Sequence, residues 1–310
     1  MMLYSRKSEM TKSLSSRIYL QSDALRPTLE KFVFARERKL EEEFGIYQDV
    51  LVARSTDKNV LKVCQDGGVV TTLLTFALKK RMIEGAVVSG IDKYKPLYPT
   101  PIFATTLRQI LQSAGTRYFY SPNLLALKKG IEQDRKVLAF VGTPCQIEAI
   151  RRIQTVLKKD YIDKLKLAVG LMCSESFSYE GLVEDYIKRK LGIDPRDITR
   201  INIKKKLVLS MKSCETKEIP LKSVQRYVRP SCGTCKDFSA ELADLSVGGL
   251  GLNGWSLVVI RTETAKKLFT DAVKAGLLKV ESIDERKRPL DLLINLSRDK
   301  RMRRRNVDIA

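Results

Sequence analysis

From residue 47 to about residue 296 short apolar runs alternate with helical stretches, and this order constrains the fold more than any other feature of the chain. The runs at 85–90 (Gly-Ala-Val-Val-Ser-Gly), 137–142 (Val-Leu-Ala-Phe-Val-Gly) and 165–172 read as short buried strands. Helices are predicted over 69–80, 146–157 and 179–191. Interleaving of this kind builds an α/β domain in which helices cover a sheet. Beyond residue 198 the pattern changes to short strands at 201–203 and 207–211, a cysteine-bearing loop, a Gly-rich loop at 248–254, a strand at 255–261 and a helix at 264–275. The expected fold class is α/β, with a mixed-sheet core, flanking helices and cysteine-bearing loops. Residues 1–45 are polar and basic and read as an appended N-terminal helical extension, in which Leu29, Phe32, Val33 and Leu40 could share one stripe of a helix over 28–44. The expected organisation is an extension at 1–45, one domain at 46–297, and a basic tail at 298–310 that is disordered or binds a partner.

The chain has 310 residues, 44% of them hydrophobic, which suffices for a buried core. Its net charge of +21, with arginines and lysines prominent at 6–38 and 298–305, points to an acidic partner or a polyanionic ligand. No run approaches the ~20 apolar residues that span a bilayer, and no apolar secretory segment opens the chain, so the expected location is the cytoplasm. Histidine is absent. That excludes Ser-His-Asp and Cys-His catalysis and every histidine-ligated metal, and leaves thiolates, carboxylates, Lys, Tyr, backbone amides or a bound cofactor to carry the chemistry.

Of the six cysteines, Cys232 and Cys235 form a Cys-x-x-Cys knuckle between Pro230 and Asp237. A knuckle supplies two thiolates, so a four-cysteine site needs two more. Cys145 and Cys173 are the natural candidates, because each follows an apolar strand at the end of the sheet where loops converge. Spacing alone leaves zinc, an iron-sulfur cluster and inert thiols open. A thioredoxin-like redox pair fits poorly, since a proline-bounded loop rather than a strand precedes the knuckle.

Gln65-Asp66-Gly67-Gly68 stands directly before a helix, where free amides can bind a dinucleotide or flavin phosphate, although paired glycines before helices are often mere turns. Gly115, Thr116, Arg117 and Tyr118, followed by Ser121, Pro122 and Asn123, bring hydroxyls, a guanidinium and an aromatic ring into one loop, or simply cap the helix that follows.

Taken in order, Ala53–Asp57, Gln65–Thr71, Glu84–Val88, Ala114–Tyr118, Ser121-Pro-Asn123, Pro144-Cys-Gln146, Cys173, Cys232–Asp237, Ala240–Asp244 and Gly254-Trp-Ser256 resemble the coenzyme F420 hydrogenase/dehydrogenase beta subunit family over roughly residues 46–300. The resemblance implies a flavin and iron-sulfur domain with one FAD and one [4Fe-4S] cluster. It implies electron transfer between coenzyme F420, a deazaflavin hydride carrier, and one-electron carriers. Cys145, Cys173, Cys232 and Cys235 would then ligate the cluster. Ser55, Thr56, Gln65, Asp66, Gly67, Gly68, Gly115, Thr116, Ser121 and Asn123 would lie at the flavin, and Lys205 at the deazaflavin end. The lysine run at 204–206, in which only Lys205 keeps the expected type, and the fifth thiol, Cys64, depart from the family pattern. No second ferredoxin-like cysteine set is present, so a longer electron path implies a partner subunit; homo-oligomer formation is left open. Two other readings are a self-contained reductase of another substrate with the same cofactors, and a zinc-stabilised nucleic-acid-binding protein. Dispersed basic residues, without a helix-turn-helix or an aromatic RNA platform, argue against the latter.

Overall fold

The computed structural model describes residues 25–156, 164–285 and 287–303. At its centre four strands run parallel side by side: β2 (Gly85–Ile91), β4 (Leu138–Gly142), β5 (Leu165–Leu171) and β9 (Leu245–Gly248). The edge strand β3 (Pro99–Ala104) lies antiparallel to β2. On the far side β10 (Ser256–Ile260), β1 (Asp49–Ser55) and β11 (Leu278–Ser282) continue antiparallel from β9, completing an eight-stranded mixed sheet. The α/β reading with a mixed-sheet core therefore holds.

Alternate residues of the central strands enter two different cores, which is why these strands read as continuous apolar runs. Ala86, Val88, Ala139, Val141 and Val169 pack on one face beneath α3 (Val69–Lys79) and α7 (Glu263–Lys274). Val87, Leu138, Phe140 and Ala168 pack on the other beneath α1 (Arg26–Phe34), α5 (Asn123–Glu132) and α6 (Pro144–Val156). Short helices α2 (Lys58–Val63) and α4 (Leu107–Gln112) complete the first layer, and α8 (Lys287–Arg301) closes the chain. Between β5 and β9 is inserted a helix, Glu180–Lys190, wound with π spacing, and a three-stranded antiparallel meander of β6 (Ile198–Ile203), β7 (Lys206–Met211) and β8 (Thr216–Pro220). The insert has its own core of Phe177, Leu182, Ile187, Leu207, Leu209 and Tyr227. Among the described residues no helix is long and apolar enough to cross a membrane.

Both chain ends differ from their expectations. Helix α1 stops at Ala35, whose left-handed φ of 58° breaks the period, so Leu40 stands fully exposed and Phe32 faces solvent instead of continuing a stripe. Leu29 is buried in the second core, and Phe44 and Ile46 are buried as well, so residues 25–46 are built into the domain. Helix α8 runs through residue 297 to Arg301, carrying the start of the expected tail as ordered helix. Residues 1–24 and 304–310 lie outside the described residues.

Candidate functional site

Loops at the carboxyl ends of the parallel strands β4 and β5 carry Cys145 and Cys173, the position where open α/β sheets bind ligands. Cys145 sits in the first turn of α6 directly after β4, and Cys173 follows β5 after one intervening residue. The knuckle reaches them by backbone lacing: the Cys173 amide donates to Phe238 O (2.9 Å), the Ser176 amide to Cys232 Sγ (3.3 Å), and the Arg229 amide to Ser176 O (2.9 Å). Burial pushes the Cys173 thiol up to about 12; Lys300 opposes that rise, while Cys145, Cys232 and Cys235 each add to it. The other three cysteines are thus within electrostatic reach of Cys173. A thiol held that high serves as a thiolate ligand only beside strong positive charge, which a bound metal centre supplies. The donor set therefore fits a thiolate-held centre. Among the described residues no three His, Cys, Asp or Glu side chains are close enough to hold a single metal ion. Cys64 and Cys214 lie elsewhere: Cys64 is buried and donates to Asp66 O (2.9 Å), and Cys214 is exposed in the turn between β7 and β8.

The glycine pair lies beside β1. A Cβ on Gly67 would come within 2.5 Å of Ala53 O and 2.7 Å of Ser256 N, so glycine is needed there for strand-to-loop packing. Gly68, at φ 72°, caps α3 with no side-chain hydrogen bond and leaves first-turn amides of that helix open. Beside it, Gln65 has a buried Nε2 without a hydrogen-bond partner. An orphaned donor costs about 1–3 kcal/mol, which a ligand acceptor would recover. Ser55 accepts from Thr72 Oγ1 (2.7 Å), and Thr56 Oγ1 donates to Gly276 O (2.9 Å). Gly115 takes φ 92°, and Thr116 next to it is exposed.

Ser121 and Asn123 connect this region to the cysteines. Asn123 Oδ1 accepts from Ser121 Oγ (2.7 Å) and Ser89 Oγ (3.0 Å), and its Nδ2 donates to Val141 O (2.9 Å). Gln146 Nε2 donates to Ser121 O (2.5 Å), its Oε1 accepts from the Thr143 amide (3.1 Å), and Thr143 Oγ1 lies 3.3 Å from Cys145 Sγ.

A second group of side chains closes over the glycine loop from the insert. Arg200 donates to Cys64 O (2.9 Å), Asn202 Oδ1 lies 3.4 Å from Tyr118 OH, and Lys204 Nζ donates to Asn253 Oδ1 (3.2 Å). These three alternate along β6 and its turn, so they share one face. Lys205 falls out of that phase and stands exposed. The period of two was the signal that could have singled out Arg200 and Lys204. Burial holds the Asp66 carboxyl up at about 6, although Lys204 and Arg200 pull it down. Because its folded value exceeds the ordinary 3.8, the folded chain binds the extra proton, and stability is expected to fall as pH rises from about 4 to 6. Asp66→Asn is expected to flatten that slope in urea titrations of the cofactor-free protein and to add about 1–2 kcal/mol at pH 7. An unchanged slope would remove the buried-acid assignment.

Two family models match the chain, the coenzyme F420 hydrogenase/dehydrogenase beta subunit N-terminal model over residues 50–128 and the corresponding C-terminal model over residues 135–286. The coenzyme F420 hydrogenase subunit beta of Methanothermobacter thermautotrophicus is 40% identical over 261 residues, covering 83% of this chain and 92% of that protein. A coenzyme F420-dependent sulfite reductase of Methanocaldococcus jannaschii is 34% identical over 66% of this chain and 34% of its own length. A chain of the solved F420-reducing [NiFe] hydrogenase complex from Methanosarcina barkeri superimposes with a TM-score of 0.81 at 34% identity, covering 84% of this chain and 91% of that one. With the strand-end cysteines, the glycine loop before α3 and these matches in agreement, the chain belongs to the coenzyme F420 hydrogenase/dehydrogenase beta subunit family and is an oxidoreductase.

Proposed function

We propose that this chain transfers electrons between coenzyme F420 and one-electron carriers, using one FAD and one four-iron cluster held by Cys145, Cys173, Cys232 and Cys235. The observation that carries this reading is that Cys145 and the Cys232/Cys235 knuckle, from two separate loops, act on Cys173, with the Ser176 amide donating to Cys232 Sγ (3.3 Å), next to a glycine loop with an unpartnered buried amide at Gln65. Thiolates of a four-iron cluster each bind a different iron, and four cysteines near the ends of β4 and β5 supply that set without histidine. Gln65 and the open amides after Gly68 are suited to hold a flavin phosphate, with Ser55, Thr56, Gly115, Thr116, Ser121 and Asn123 lining the approach. Arg200 and the half-buried Tyr118 stand on the insert side of the loop, Arg200 donating to Cys64 O. When bound, the FAD supplies the exchange between hydride and single electrons.

Two of the six cysteines lie away from the set, so the chain has ligands for one cluster and a partner subunit takes the electrons onward. Surplus basic charge favours the anionic deazaflavin and an acidic partner face. A cytoplasmic location is consistent with this role.

The test is an anaerobic preparation on which iron, zinc and flavin are counted, followed by oxidation of reduced coenzyme F420 with an artificial one-electron acceptor. About four irons, about one FAD and F420-dependent turnover are expected. A colourless zinc protein without turnover would overturn the reading.

A further inference from the structure

Helix α8 turns Leu293, Ser297 and Lys300 inward on one stripe, at 0%, 1% and 3% exposure. A lysine on a buried stripe ordinarily runs its aliphatic stem out to water. Lys300 does not: its Nζ donates to Cys173 O at 2.6 Å. Its neighbours Arg298 and Arg301 turn instead to Glu43 and Glu241. The Lys300 charge acts on Cys173 and also on Cys235. Arg303, just beyond the helix, donates to Ser174 O (3.3 Å) and Cys232 O (3.1 Å). The end of α8 therefore sets two cations against the loops that carry three of the four cysteines. This turn lies past residue 286, where the match to the C-terminal family model ends.

Four thiolates gathered in one place repel one another, and a buried cation beside them offsets that repulsion. Adding one electron to a centre they hold adds one negative charge, which a fixed positive charge nearby stabilises. We infer that Lys300 is the resident counter-charge of the cysteine-held centre, a positioning residue that makes the centre easier to reduce and keeps the Cys173 and Cys235 loops closed around it. The inference rests on the four-iron reading proposed above.

The experiment is a potentiometric titration of the anaerobic full-length protein, followed by electron paramagnetic resonance, after iron has been counted in each sample. Lys300→Met removes the charge and the donor, Lys300→Gln removes the charge but keeps a donor for Cys173 O, and Lys300→Arg keeps the charge. With iron retained, the Met and Gln variants are expected to titrate at a more negative potential than the parent. Their reduced-to-oxidised ratio at a fixed potential falls about tenfold, equivalent to about 59 mV for one electron, while Arg stays near the parent. Loss of iron in Met and Gln with retention in Arg would also support the counter-charge. Full iron and an unshifted potential in all variants would overturn it, as would equal loss of iron in all three. A parent protein without iron would sink the four-iron reading itself, a failure told apart because iron is counted before any potential is measured.

Discussion

Cys173→Ala, reconstituted anaerobically with iron and sulfide, is expected to lose most of its iron and visible absorption, and F420-dependent reduction of an artificial acceptor should fall at least ~100-fold. Cys173 lies where the other three cysteines meet electrostatically, so removing it takes a corner from the centre and leaves the knuckle facing Cys145 alone. Flavin content should survive, because the glycine loop is anchored separately, through the Gly67 amide donating to Ser256 Oγ (3.0 Å) and Ser55 N donating to Gly67 O (2.7 Å). Parallel replacement of Cys64 or Cys214 should leave iron unchanged. Full iron in the Cys173 variant would withdraw this cysteine from the ligand set.

An equally large effect, on stability, is expected at Glu241. This carboxylate is 4% exposed and receives Arg26 (2.7 Å) and Arg38 (3.4 Å) from the N-terminal segment and Arg301 (2.7 Å) from α8. Burial pushes its carboxyl upward, but Arg26, Arg301, Arg38 and Arg261 outweigh burial and hold it below the ordinary carboxylate range. Such a group contributes stability at neutral pH that is lost as pH falls below the carboxylate range. Glu241→Leu would leave the half-buried Arg26, Arg38 and Arg301 and the buried Arg261 without their shared acid, a loss of about 3 kcal/mol and roughly 5–10 °C in Tm for a chain of this size. Because the segment 26–38 and helix α8 meet at this one residue, limited proteolysis should then cut first at residues 35–45 or in α8. A Tm within a few degrees of the parent would show that the arginines find water or other acids at little cost.

The same residue shows why the chain ends read differently in one dimension. Arginines near residues 26–38 and 298–303 look like a solvated surplus, because the acid that collects them is 215 positions from Arg26 and 60 from Arg301. In one dimension they read as appendages, whereas folding makes Arg26, Arg38 and Arg301 a clamp on the loop that follows the knuckle. Arg261 was hidden in a strand pattern in the same way: it is 1% exposed and donates to Ser246, to Ser239 and to the carbonyls of Phe44 and Ile46, tying the N-terminal segment to the sheet.

By itself the sequence determined the α/β alternation, because a strand buried on both faces must be apolar throughout and a helix must alternate its faces. It also determined the family, because the ordered motifs persist over most of the chain, and it excluded imidazole chemistry through the absence of histidine. Only the tertiary structure decided which strands pair, that the meander closes over the glycine loop with Arg200 and Lys204, and that Lys300 ends buried against Cys173, 127 positions away in the chain. Local periodicity reports which face of an element is apolar. It carries no information on which distant element will cover that face, since that choice is made by the summed packing of the whole sheet and its helices.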